Sequence, residues 1–263
     1  MQRFTRALVT GASTGIGAAI ASELATRGTE LVVVARSADQ LEALAEQWRA
    51  AHGVDVEVLP ADLTDPGQLE RVEDRLRTED AAVDLLVNNA GWGSTGAFID
   101  STPDEATTCI ELNVTALTRL THAVLPRLVA AGHGGVLNVS SVGGFQPVPH
   151  FAVYAATKAY VSSFTEAVHE ELRGSGVHVT ALCPGFTRSD FVTAAGAEDE
   201  AARIPDFLWQ DVEPVACAGV DGVSRGRGVV VSGALNQVTT GLSSVTPSTV
   251  SRRVVAGVIN RFT

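Results

Sequence analysis

Seven short runs rich in Val and Leu, at 6–10, 30–35, 54–59, 83–87, 135–139, 177–182 and 229–232, alternate with stretches of helical period. No other feature constrains the fold as much. The runs are continuous rather than alternating in polarity, which suits strands buried on both faces of a parallel sheet. The intervening helical patterns fall at 15–28, 38–52, 66–79, 103–131, 153–173 and 212–225. Strand–helix alternation of this kind predicts a doubly wound α/β fold. No Pro- or Ser-rich linker and no repeat interrupts it, so one domain is expected, with residues 1–232 carrying the sheet. The connection 186–210 is long enough to serve as a lid over a site. Residues 233–263 read as a tail of two short helical stretches split by Pro247. In the second stretch Val250, Val254, Val255, Val258, Ile259 and Phe262 form one stripe. It is expected to pack on protein, beside the lid or across a subunit boundary, rather than on a membrane.

Composition narrows the partners. Hydrophobic residues make up 45% of 263, enough for a substantial core, and the formal charge is −11 without a basic stripe. Nucleic acid is not an expected partner. Cys109, Cys183 and Cys217 are far apart and form no metal-ligand spacing, which fits a reducing cytoplasm. "HEEL" at 169–172 lacks the second His of a zinc-protease helix and reads as a solvated helix face. The opening "MQRFTRALVT" runs straight into a strand pattern, so no leader is expected, and no apolar run is long enough to span a bilayer.

An acidic chain must bind an anionic cofactor through local features. "VTGASTGIG" places Gly11, Gly15 and Gly17 in the first strand-to-helix turn, with Ser13, Thr14 and Ile16 between them. Glycines permit a tight turn and close backbone approach, and the free N–H groups of the new helix can face a pyrophosphate. The spacing GxxxGxG departs from the GxGxxG fingerprint, but the physics carries over. At the end of the second run an acid would suit the ribose of NAD, whereas this chain has Arg36 and no acid before Asp39. Arg36 suits a 2′-phosphate, so NADP is the expected cofactor, with NADPH preferred and NAD admissible.

Further along come "NNAG" at 88–91, "ELNVTA" around Asn113, "NVSSVGG" with Ser141, "YAATK" at 154–158 and "PGFTR" at 184–188. Together with the glycine loop these motifs resemble the short-chain dehydrogenase/reductase family of the single-domain YxxxK type, over about residues 5 to 232. The resemblance implies a Rossmann-type sheet of seven parallel strands and hydride transfer between NAD(P) and a carbonyl or alcohol. It implies a catalytic set of Asn113, Ser141, Tyr154 and Lys158. It also implies cofactor contacts at Asp62 and its neighbour Leu63, at Asn89, Ala90 and Gly91, and at Pro184, Gly185 and Thr187. Relatives associate through the helices at 103–131 and 153–173, which implies a homodimer or homotetramer.

The chemistry gives the pentapeptide "YAATK" its sense. Lys158 is the one lysine in the chain and Tyr154 one of two tyrosines. Residues at i and i+4 share a helix face, so both can enter one cleft. A tyrosine titrates near about 10, and working near neutrality means favouring the phenolate by roughly 4 kcal/mol. A nearby ammonium, a compact point charge, supplies part of this, and the oxidised nicotinamide more. Ser141 would hold the substrate oxygen, and Asn113 a water that relays protons; Asn113 can also cap or kink its helix, and the two roles are compatible. Trp92, Gly93, Phe145, Gln146, His150, Phe186 and Phe191 are the candidate substrate lining, mostly apolar, which favours a lipophilic or aromatic carbonyl. Two other readings stand beside the reductase. A catalytically silent NAD(P)-sensing protein could dispense with Ser141, Tyr154 and Lys158 together. A sugar-nucleotide epimerase or dehydratase would need a substrate subdomain for which too few residues remain.

Overall fold

The computed structural model describes residues 1–233 and Asn236, so the stripe at 250–262 lies outside the described residues. The elements run β1 (Arg6–Thr10), α1 (Gly15–Thr26), β2 (Glu30–Val34), α2 (Ala38–His52), β3 (Val56–Val58), α3 (Pro66–Arg77) and β4 (Leu85–Asn88). Then come α4 (Pro103–Ile110), a π-helical turn (Glu111–Ala116), α5 (Leu117–Ala131), β5 (Gly134–Val139), α6 (Ala152–Glu171) and β6 (Val177–Cys183). The short helices α7 (Phe191–Ala194) and α8 (Glu198–Ala202) precede α9 (Val212–Ser224) and β7 (Val229–Val231). All seven strands are parallel, in the order β3-β2-β1-β4-β5-β6-β7. The order reverses between β1 and β4, so the carboxyl ends of those strands open a crevice, the place where such sheets bind ligands.

Alternation along the buried strands divides the core in two. Val9, Val33, Val87 and Leu137 meet α1, α2 and α9 on one face, where Ile20, Leu24, Leu41 and Val220 are buried. Leu8, Val32, Leu86 and Val136 meet α3 and α5 on the other, through Leu69, Val72, Leu120 and Val124. Local signals set the helix starts. Asp65 accepts the Gln68 N–H at 2.8 Å ahead of Pro66. Thr102 and Glu105 form a reciprocal capping box ahead of Pro103. Gly53 and Gly132, both left-handed, stop α2 and α5.

One sequence expectation needs correction. The single helix expected at 103–131 contains the π turn at Glu111–Ala116, a break of register invisible to a 3.6-residue pattern. The connection 186–210 carries α7, α8 and a 3₁₀ turn at Asp206–Leu208. Its ends are tied by a bridge between Thr187 and Gln210, with the Gln210 N–H donating to Phe186 O and the Arg188 N–H to Gln210 O, each at 2.9 Å.

Candidate active site

The loop after β1 is shaped by close packing. Gly11 and Gly15 have φ of +65° and +55°, where only glycine is unstrained. Gly17 has no such need, but a Cβ there would collide with the Gly11 carbonyl oxygen and with Asn89 Nδ2. That amide donates to the carbonyls of Thr10 (3.0 Å) and Gly11 (3.1 Å), and the Thr10 hydroxyl accepts the N–H groups of Asn89 and Ala90, each at 3.0 Å. NNAG thus buttresses the glycine loop, beside Ala90 and Gly91. Thr14, the N-cap of α1, makes no side-chain cap bond, so the first N–H groups of the helix face outward.

Arg36 is exposed at the end of β2 and forms no ion pair among the described residues. It does act on Asp62: burial would raise that carboxyl, but hydrogen bonds from Thr64, aided by the Arg36 charge, hold it below its usual range. Asp62 Oδ1 takes both the Thr64 N–H (2.9 Å) and its hydroxyl (2.7 Å), while neighbouring Leu63 is buried. A bare glycine cradle, an open helix start and an unpaired cation fit a dinucleotide that carries an extra phosphate.

The Ser–Tyr–Lys cluster is built from the end of β5 and from α6. Ser141 follows β5 and its hydroxyl accepts the Gly143 N–H at 3.0 Å while hydrogen-bonding the Tyr154 phenol. Neighbouring Ser140 turns away: it donates to Lys158 O at 2.8 Å and meets Ser162. Tyr154 and Lys158 share one face of α6, with Lys158 Nζ 5.6 Å from the ring centroid. The ammonium is buried, donates to Val139 O at 2.9 Å, and is pulled down to about 8 by loss of solvent. Burial pushes the phenol up to about 12 against the Ser141 hydrogen bond. The expected pull towards neutrality is therefore not met by the chain's own groups, because the ammonium does not offset desolvation.

Asn113 sits in the π turn, and its carboxamide is filled by protein. Oδ1 accepts the Trp92 N–H at 2.9 Å, and Nδ2 donates to Trp92 O at 2.8 Å and to Thr157 Oγ1 at 3.0 Å. The side chain clamps a loop to α6. Of the expected lining, Phe191 packs 5.2 Å from the Tyr154 ring, and the Trp92 indole N–H donates to Ala194 O in α7 at 3.2 Å. His150, in left-handed backbone at φ +66°, lines a hollow beside Tyr154 with Ser94, Phe98, Cys109 and Val153. Phe145 is exposed on a 3₁₀ turn next to Gln146, and Phe186 is exposed and packs on Trp209 at 5.8 Å, so neither aromatic is enclosed. Pro184 and Thr187 are buried and Gly185 is half-buried at the end of β6, where Asn236 covers Gly185. Sequence reasoning missed Phe151, whose ring meets Tyr154 edge-on at 6.3 Å, and Ser189, which lies against Gly15. Cys183 is core filler as expected, and no metal-binding group of His, Cys, Asp or Glu occurs among the described residues.

A sheet of this order, with a glycine turn after its first strand and a Ser–Tyr–Lys cluster across the crevice, defines a Rossmann-type α/β protein. The family model described as short chain dehydrogenase matches residues 5–200. The chain belongs to the short-chain dehydrogenase family, a family of oxidoreductases. It is 35% identical over 215 residues, 81% of this chain and 84% of the other, to sulfoacetaldehyde reductase 2 of Chromohalobacter salexigens. Among solved structures it resembles a short-chain dehydrogenase from Sphingobium yanoikuyae in complex with NADPH (40% identity, TM-score 0.81, 92% of this chain and 96% of that one). It also resembles a bulky-bulky ketone specific alcohol dehydrogenase from Comamonas testosteroni (35% identity, TM-score 0.78, 94% and 96% covered).

Proposed function

We propose that this protein is an NADP(H)-dependent oxidoreductase that interconverts a ketone or aldehyde and its alcohol. The observation that carries the reading is the Tyr154 phenol, hydrogen-bonded to Ser141 and set over the only lysine of the chain. NADPH, when bound, supplies the hydride. The Ser141 hydroxyl holds the carbonyl oxygen, and Tyr154 gives that oxygen its proton. A phenol at about 12 is protonated throughout the neutral range, the state a proton donor needs. In the oxidative direction the phenol must lose its proton, and the Lys158 ammonium favours the phenolate. Lys158 would also hold the cofactor's ribose hydroxyls, Arg36 its 2′-phosphate, and Asp62 and Leu63 its adenine. Asn89 to Gly91 and Pro184 to Thr187 would flank it. The NADPH complex of the Sphingobium relative supports this choice of cofactor.

The aromatic walls formed by Phe151, Phe191 and Trp92 favour a lipophilic or aromatic carbonyl, and the ketone specificity of the Comamonas relative agrees. Residues 1–232 would act as one catalytic domain with 186–210 as its lid. Exposed Ile110 on α4 and Tyr160 on α6 would lie in the contact of a homodimer or homotetramer. Free cysteines suit a cytoplasmic enzyme, and no helix among the described residues is long and apolar enough to cross a membrane. The test is a panel of ketones and aldehydes offered with NADPH and with NADH, following the nicotinamide absorbance. Turnover of bulky ketones with NADPH preferred is expected. No oxidation with any member would leave the cofactor-sensing reading in its place.

A further inference from the structure

Gly93 is buried immediately after Trp92, and its bare face meets the candidate proton donor. A Cβ at this position would stand 2.7 Å from Tyr154 Cδ2, 3.0 Å from Cγ and 3.1 Å from Cβ. Carbon atoms pack best at roughly 3.5–4.0 Å, so something would have to shift. Cδ2 and Cγ belong to the ring and Cβ is held by the α6 backbone, so the ring would have to turn from its present seat. On other sides it meets the Phe191 ring at 5.2 Å and the Phe151 ring at 6.3 Å.

The loop that carries Gly93 is equally fixed. Asn113 holds both the N–H and the carbonyl of Trp92, at 2.9 and 2.8 Å, and the Cys109 thiol reaches the same carbonyl at 3.2 Å. Asn113 Nδ2 also donates to Thr157 Oγ1 on α6 at 3.0 Å, so one side chain sets the spacing between loop and helix. Gly93 is not among the residues of positive φ, so its backbone does not require glycine. Space is what requires it.

We infer that Gly93 is a positioning residue for proton transfer, its missing side chain being what lets the Tyr154 ring reach the Ser141 hydroxyl. The catalytic consequence rests on the reductase reading above, whereas the contact itself stands independently of it.

The test uses the full chain in a Tyr160→Phe background, which leaves Tyr154 as the sole tyrosine, since there are two in all. Gly93→Ala should move the phenol titration, read by phenolate absorbance, further up from about 12, because the Ser141 hydrogen bond that lowers it is lost. It should also lower kcat by about a hundredfold, as misplacement of a reacting group does, while the Kd for NADPH stays within about threefold. If either the titration or kcat is unmoved, the inference is overturned. Should Gly93→Ala fail to fold, the comparison passes to Tyr154→Ala with and without Gly93→Ala. Equal melting of those two proteins would support the contact, and a loss in both backgrounds would overturn it. Should the parent protein reduce no carbonyl, the reductase reading fails, and the phenol titration and the paired melts still decide whether Gly93 seats the ring.

Discussion

Two loops leave the carboxyl edge of the sheet and converge on the crevice, and different physics holds each. The loop after β1 is specified by missing atoms: a methyl at Gly17 would collide with Gly11 and Asn89, and one at Gly11 would stand 2.9 Å from Ala90 Cα. The segment from β5 to α6 is specified by groups stripped of water, an ammonium pulled down to about 8 and a phenol pushed up to about 12. The difference teaches where damage should appear. Atoms added to the first loop should harm the fold and cofactor binding, whereas polar atoms removed from the second should harm chemistry and spare the fold.

Tyr154→Phe is the strongest probe of that contrast. It removes the phenolic proton and keeps the ring, so kcat should fall by about a thousandfold, within the range for loss of a general acid. The Kd for NADPH by calorimetry should not change, and near-normal turnover would end the proposed mechanism. Gly17→Ala should do the opposite. Overpacking of this sort costs about 1–3 kcal/mol, so denaturant unfolding should shift to a lower midpoint and NADPH binding should weaken with it. An unshifted midpoint would show that the loop gives way cheaply.

Arg36→Asp tests the outer end of the same half, where charge rather than shape acts. The loss of a charged hydrogen bond is worth about 1.5–3 kcal/mol, so NADPH affinity should drop at least about tenfold while NADH affinity barely moves. Equal changes for both cofactors would make Arg36 a surface residue. The smallest effect concerns pH. Lys158 loses its charge as pH rises through about 8, so the KM for NADPH should climb through that value, by a few-fold over the first unit. Stability should rise with pH between about 8 and 10.5, where the unfolded lysine still binds a proton that the folded one has released. A flat KM profile through that window would mean that the ammonium keeps its proton inside the fold.

Much of the fold was legible because its signals are local. Buried parallel strands must be continuous Val and Leu runs, and the run at 6–10 is β1 residue for residue. The helix at 38–52 is likewise α2, closed by a glycine in the left-handed region. The glycine loop, Arg36, Ser141, Tyr154 and Lys158 were also readable, since their residue types stand at strand ends and at helical spacing. Helices α7 and α8 were not, being four and five residues long, too short to show a period.

By itself, then, the sequence determined the order of the elements, the doubly wound sheet, and the placing of Tyr154 and Lys158 on one helix face, because each follows from residue type and from spacing along the chain. Only the tertiary structure decided what surrounds them. It put Asn113 into a clamp on Trp92, left Phe145 and Phe186 exposed, tied the Trp92 indole to Ala194, and pressed Gly93 against the Tyr154 ring. It also buried the phenol, which pushes its titration up to about 12. Contacts between segments dozens of residues apart, and the solvent they exclude, depend on how layers pack, and no local pattern of letters records either.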